Sequence, residues 1–187
     1  MSIARCLLLF FSIFMASFPM MAQTDTAEVV YSGDEFAAAF SAEGVKQWKP
    51  EFTVRAYAGI YTGGCELTGG VKIDNKRTLG LMLGYESLYV DAAPGDVRAI
   101  GTAAFFRRYI HLGKKERFSL YSDLYLGASW IFKATGNTEQ LNSKPGEVYF
   151  LIGWQPGIRL RIYRNFQIFL GPTISTYTMG LHLGLGF

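Results

Sequence analysis

Residues 118–130 read Phe118-Ser119-Leu120-Tyr121-Ser122-Asp123-Leu124-Tyr125-Leu126-Gly127-Ala128-Ser129-Trp130. Phe118, Leu120, Leu124, Leu126 and Trp130 fall on one parity; Ser119, Tyr121, Asp123, Tyr125 and Ser129 fall on the other. A period of two sends alternate side chains to opposite faces of a strand, whereas a helix would scatter both sets around its axis. The stretch is therefore a strand with one greasy and one polar face. It also exceeds the roughly five or six residues of an ordinary soluble strand, and about nine to eleven tilted residues suffice to cross a bilayer.

The same alternation extends in both directions. Upstream, Phe52, Val54, Ala56, Ala58 and Ile60 oppose Glu51, Thr53, Arg55, Tyr57 and Tyr61. Next, Leu67, Val71 and Ile73 oppose Glu66, Thr68, Gly70 and Lys72, and Leu79, Leu81, Leu83 and Tyr85 oppose Thr78, Gly80, Met82, Gly84 and Glu86. The run from Val97 to Leu112 is ambiguous in phase, because Phe105-Phe106 and Arg107-Arg108 occupy both faces. Downstream, Val148, Phe150, Ile152, Trp154, Ile158, Leu160 and Ile162 oppose Tyr149, Gly153, Gln155, Gly157, Arg159 and Arg161. Phe166, Ile168, Leu170 and Ile174 then oppose Gln167, Gly171, Thr173 and Ser175. Met179, Leu181, Leu183, Leu185 and Phe187 close the chain opposite Gly180, His182, Gly184 and Gly186. Eight strands result.

Composition agrees. Of 187 residues, 50% are apolar, 16% are aromatic and 21 are glycine, which favours pleated structure over helix. The net charge of +3 forms no basic tract, so a nucleic-acid partner is not expected. Arg5, the apolar run Cys6 to Phe18 and Met20-Met21-Ala22 have the layout of a secretory signal over residues 1–22. The apolar run is shorter than the roughly 20 residues of a spanning helix. Cys6 would leave with the signal, and Cys65 then has no disulfide partner. Residues 23–48 read as an N-terminal periplasmic extension, in which Ser32 and Glu35 have capping-box spacing for a short helix through Phe40. Residues 49–187 carry the strands.

Without spanning helices, a membrane location requires a closed barrel, the other arrangement that satisfies every backbone group in lipid. Period two alone also fits a soluble lipocalin-like barrel with its apolar face inward. Charges interleaved with glycine suit a narrow lumen, and smooth rows of Leu, Ile, Phe and Trp suit lipid. The links Asp74–Lys76, Gly113–Glu116 and Tyr163–Asn165 are short. Those after strands three and five, Ser87–Asp96 and Lys133–Gly146, are long and fall on one side, whereas Thr62-Gly63-Gly64 and the turn near Tyr177 are short. Short periplasmic turns and longer outer loops put both chain ends in the periplasm. The fold expected is all-β, an eight-stranded antiparallel up-and-down transmembrane barrel.

The final residues, Gly180-Leu181-His182-Leu183-Gly184-Leu185-Gly186-Phe187, alternate and end on an aromatic. In this, and in size, the chain over residues 49–187 resembles the small eight-stranded outer-membrane barrels of Gram-negative bacteria, such as the OmpA transmembrane domain or the porin-like barrels of Bacteroidota. The resemblance implies location in the outer membrane among lipid and lipopolysaccharide. It also implies insertion by the barrel assembly machinery, which reads the strand ending at Phe187, and a structural or surface-interaction role.

Chemistry has few candidates. No Cys/His cluster suggests a metal, and no cofactor or catalytic residue is expected. His182 shares a polar face with Ser119 and Asp123, and some barrels of this class resemble lipid A acyl hydrolases or acyltransferases. An ordinary lumenal hydrogen-bond network accounts for these three residues better. His111, next to the Gly113 turn, reads as a solvated interface residue. Glu51, Glu66, Glu86 and Asp123 have Arg55, Lys72, Arg159 and Arg161 to pair with, as buried charges must, and eight strands leave little room for a pore. Finally, Pro156 and Pro172 lie inside strands, where proline removes a ladder donor. With Arg164 at the centre of the turn they would face each other on the lipid side. A paired bulge or bend is the plainer account, and a weakened seam that admits a lipid chain sideways is the sharper one.

Overall fold

A computed structural model describes residues 39–60, 62–89, 96–113, 117–135, 144–163, 166–176 and 178–187. Residues 1–22, the capping-box helix from Ser32 and most of the proposed extension lie outside them. The chain enters through a short helix, α1 (Ala42–Val45), whose Ser41 cap accepts from the Gly44 amide. The strands follow: β1 (Lys49–Gly59), β2 (Thr62–Lys72), β3 (Arg77–Tyr89), β4 (Asp96–Leu112), β5 (Phe118–Thr135), β6 (Val148–Tyr163), β7 (Phe166–Ser175) and β8 (Met179–Gly186). Each strand pairs antiparallel with the next, and β8 returns to β1 to close an up-and-down barrel. Phe187 completes the closure by exchanging both backbone hydrogen bonds with Phe52, at 2.9 and 3.2 Å.

The barrel is inside out relative to a soluble one. Leu81, Leu126 and Leu183 are 67%, 52% and 57% exposed, whereas Arg55, Arg107 and Asp123 are at most 2% exposed. The lipocalin-like alternative, with apolar rows gathered inside, is not the arrangement adopted. Pairing also settles the phase of β4. Val97, Ala99, Phe105, Arg107 and Tyr109 point inward, while Ile100 and Phe106 lie on the outer wall.

Glycine and aromatic enrichment have one geometric cause. Tyr57 lies opposite Gly64, Phe105 opposite Gly80, Tyr125 opposite Gly153 and Tyr121 opposite Gly157. In each pair the ring occupies the space a Cβ on the glycine would need. In a narrow closed wall these four pairs combine a ring on one strand with no side chain on the other. This corrects one expected turn. Thr62-Gly63-Gly64 belong to β2, where Gly64 lies under the Tyr57 ring, and the turn falls before Thr62 instead.

The other turns use local side chains. Asp74 accepts from the Lys76 amide at 2.7 Å and pairs with Arg77 at 3.3 Å, an Asx-type turn. Gly113 has φ +85°, which a residue with a Cβ adopts only under strain. The longest links, residues 90–95 and 136–147, both join strands at the same end of the barrel, called the outer end.

Candidate functional site

The barrel interior is the first candidate, and its centre is an ionic knot. Arg55 of β1 donates to Glu66 of β2 at 3.0 Å, to Asp123 of β5 at 2.6 Å and to Gln155 of β6. Arg107 of β4 grips Asp123 with two parallel bonds, Nε to Oδ1 at 2.7 Å and Nη2 to Oδ2 at 2.8 Å. It also donates to Glu51 at 2.5 Å and Thr53 at 3.1 Å. Tyr109 donates to the same Glu51 carboxylate, and Gln155 carries the chain on to Glu66 and Thr173. Two guanidiniums and three carboxylates from β1, β2, β4 and β5 thus meet in one network. Fork-to-carboxylate geometry of this kind is the strong form of charged hydrogen bond, and it offsets the desolvation that five buried charges cost.

Arg107 was missed in the sequence because its strand has no clean alternation. The residue next to it, Arg108, competes for the same reading, and only the β4–β5 register sets Arg107 against Asp123. Other expected members play different parts. Lys72 sits with its ammonium 5.3 Å from the Tyr109 ring centre. Arg159 lies 4.2 Å from the same ring and donates to Ser119 at 2.7 Å and Gln167 at 3.3 Å. Glu86 is held by hydroxyls, Thr178 at 3.2 Å and Tyr149 at 3.3 Å.

On one side of the knot the lumen is apolar as well as polar. Met82, Ala103, Phe105, Tyr125 and Leu151 form one cluster. Val97, Ala99 and Ile131, with Leu88, Ala134 and Tyr149 packed on them, form another toward the outer end. Between the knot and these clusters lies a cavity of about 20 Å³, lined by Tyr57, Glu66, Met82, Glu86, Gln155 and Thr178 among others. That is room for about one water molecule. The interior is therefore not all polar: hydrocarbon side chains are buried toward that end.

His182, Ser119 and Asp123 do not meet. His182 is hydrogen-bonded to Tyr121, Asp123 is shared by the two arginines, and Ser119 pairs with His111 at 2.8 Å. The far ring nitrogen of His111 is held at 2.7 Å from the Asn75 carbonyl oxygen. A serine, a histidine and an orienting acceptor in sequence have the form of an activated nucleophile. Ser119 is fully buried, however, and its hydroxyl also accepts from Arg159, so no substrate reaches it. His111 is no simple solvated residue either: it fastens the β2–β3 turn to β5. Cys65 is exposed on the outer wall. Among the described residues no group of acidic, histidine and cysteine side chains has the form of a metal site.

The outer wall is the second candidate. Its apolar rows run around all eight strands, with Phe52, Leu67, Leu81, Phe150, Leu170 and Leu181 each about half exposed or more. A surface this continuous exceeds the few hundred Å² of apolar patch a soluble monomer exposes.

No family model and no curated protein matches the sequence. Among solved structures, Neisserial surface protein A is 10% identical with a TM-score of 0.48, the match covering 74% of this chain and 92% of that one. The N-terminal β-barrel domain of Pseudomonas aeruginosa OprF is 15% identical at 0.44, covering 75% and 96%. The Yersinia pestis outer membrane protein Ail, in a phospholipid bilayer nanodisc, is 14% identical at 0.43, covering 74% and 99%. The chain is thus similar to small outer-membrane β-barrels at a distance where the architecture described above rests on its own pairing and burial.

Proposed function

We propose that the protein is an integral outer-membrane β-barrel with a filled lumen and a structural or surface-interaction role. The observation that carries this reading is the inverted partition of side chains. Leucines and phenylalanines stand exposed while arginines and carboxylates are buried. In water that arrangement would leave a large apolar surface uncovered, and in a bilayer the apolar rows meet hydrocarbon. Closure of β8 on β1 leaves no sheet edge, as lipid requires.

The filled interior argues against a diffusion pore, since the ionic knot and the two apolar clusters occupy its length. Lipid and lipopolysaccharide are the proposed surroundings, and the barrel assembly machinery, reading β8 and Phe187, the proposed route of insertion. Among the described residues, the serine–histidine pair that would support enzymatic modification of lipid A is buried at Ser119. Lipid A mass spectra are expected to be the same with and without the gene.

Fractionation tests the assignment. The protein should stay with membranes in alkaline carbonate, dissolve in detergent, and migrate faster in gels before boiling than after. Release by carbonate alone, with one mobility, would refute it.

A further inference from the structure

We infer that the outer rim of the β3–β5 wall binds the phosphate of a phosphorylated outer-leaflet lipid through Arg98 and Lys133; this rests on the membrane reading above. The site begins with a fault in a ladder. Between Arg98 and Ala99 the β4–β5 register shifts: Ala99 faces Ile131, Arg98 faces Lys133, and Phe132 is the extra residue. A bulge of this kind re-aims side chains at a sheet end. Here Phe132 and Lys133 follow one another near the outer surface of the wall, and the phase beyond them is reset so that Ala134 packs inward on Val97.

Two cations are thereby set side by side with one acid between them. Asp96 accepts from Arg98 Nε at 3.0 and 3.1 Å and from Lys133 Nζ at 2.9 Å. The group carries one net positive charge. The side chains of Arg98 and Lys133 are each 43% exposed. Arg98 gives its Nε to Asp96 and also bonds the Tyr85 side chain, which leaves part of its guanidinium edge to serve an acceptor such as a phosphate oxygen.

Their height on the wall selects the ligand. On the same face, one step toward the membrane, Tyr85, Phe132 and Trp130 form a chain of rings with successive centres 6.3 Å apart. Aromatic belts of this kind mark the level where headgroups meet acyl chains. Beside them stands Ile100, and beneath them Leu83 and Leu126 are exposed on the outer wall. A phosphate attached to a lipid would stand at the level of Arg98 and Lys133 while its chains lay along those leucines. A soluble anion would use the cations and leave the aromatic and aliphatic wall unused.

The test uses the full chain in phosphatidylcholine vesicles or nanodiscs, with lipid retention read by native mass spectrometry. Bisphosphorylated lipid A is compared with its dephosphorylated form. Retention of the phosphorylated form should be favoured about tenfold, since each surface cation contributes modestly and Asp96 offsets part of it. Arg98→Gln with Lys133→Gln should abolish the preference, while Asp96→Asn should strengthen it. Opposite signs for these variants distinguish binding from a merely structural role, which would weaken with all of them. Equal retention of the two lipids, or a preference indifferent to Arg98 and Lys133, overturns the inference. Saturable binding of inorganic phosphate alone, competing with the lipid, reassigns the site to a soluble anion and overturns it as well. A protein that fails to enter vesicles at all refutes the membrane reading instead.

Discussion

Pro156 of β6 and Pro172 of β7 stand opposite each other on the outer wall, at a seam where both lack an N–H to give. Trp154 pairs with Ile174 and Ile158 with Leu170, which fixes the register; the ladder is interrupted between them. Thr176 donates to the Ile152 carbonyl at 3.0 Å. Counting in steps of two from that pair makes Pro156 and Pro172 a position where both ladder bonds should be exchanged. Behind the gap, Gly157 and Gly171 present no side chains. The Tyr121–His182 hydrogen bond spans it from β5 to β8 on the lumen side, and Gln155 donates to Thr173 at 3.2 Å beside it. The seam is thus weakened in its backbone and strapped by side chains. A path for a lipid chain would run into that strap.

Replacing Pro156 with Ala supplies a donor for the Pro172 carbonyl. Lost chain stiffness in the unfolded state costs about 0.4–1 kcal/mol, but an unmade bond in lipid costs several. Pro156→Ala is expected to stabilise by about 1–2 kcal/mol and to slow amide exchange from Ile152 to Leu160. A neutral or destabilising result in urea titrations of vesicle-embedded protein would show that the Pro172 carbonyl already has its donor.

Arg107 holds Glu51 and Asp123 together. Arg107→Met removes the guanidinium and leaves surplus buried carboxylate, at a cost of about 3–5 kcal/mol. Gln in place of the exposed Arg98 should change stability by less than about 0.5 kcal/mol. Equal effects of the two substitutions would mean that the knot does not hold the barrel.

At Gly153 an added side chain must displace the Tyr125 ring, whereas at Gly84 the nearest atom to a new Cβ is the Cys65 carbonyl oxygen at 3.9 Å. Gly153→Val should therefore destabilise by about 1–3 kcal/mol, and Gly84→Ala should be neutral or slightly favourable. Combining Gly153→Val with Tyr125→Ala should recover part of the loss, as coupled neighbours do. Additive losses would argue against the ring-on-glycine packing.

Cys65 reports on the wall from outside. In a chain carrying Cys6→Ser, a nitroxide attached to Cys65 should be more accessible to oxygen than to a water-soluble nickel chelate in vesicles. The reverse order would place this face of β2 in water.

The strand count, the parity of seven of the eight strands and the side that carries the long links were legible in the sequence. Each depends on a local rule: side chains alternate along a strand, and turns announce themselves by glycine, asparagine and aspartate. Pro156 and Pro172 face each other as a turn centred on Arg164 implies, yet the register shifts between Arg161 and Tyr163, so the hairpin end alone does not fix that pairing. Local rules reach no further than neighbouring strands. The phase of β4, and with it the role of Arg107, was undetermined because Phe105-Phe106 and Arg107-Arg108 satisfy either face. The turn after β1 was misplaced because the need for Gly64 arises from a ring on the opposite strand. The partner of Ser119, the hydrocarbon buried around Val97 and the bulge that aligns Lys133 with Arg98 depend on how the closed wall curves. Alternation sorts residues into two faces; only closure decides which residues on the inner face share the same small volume, and so which charges pair.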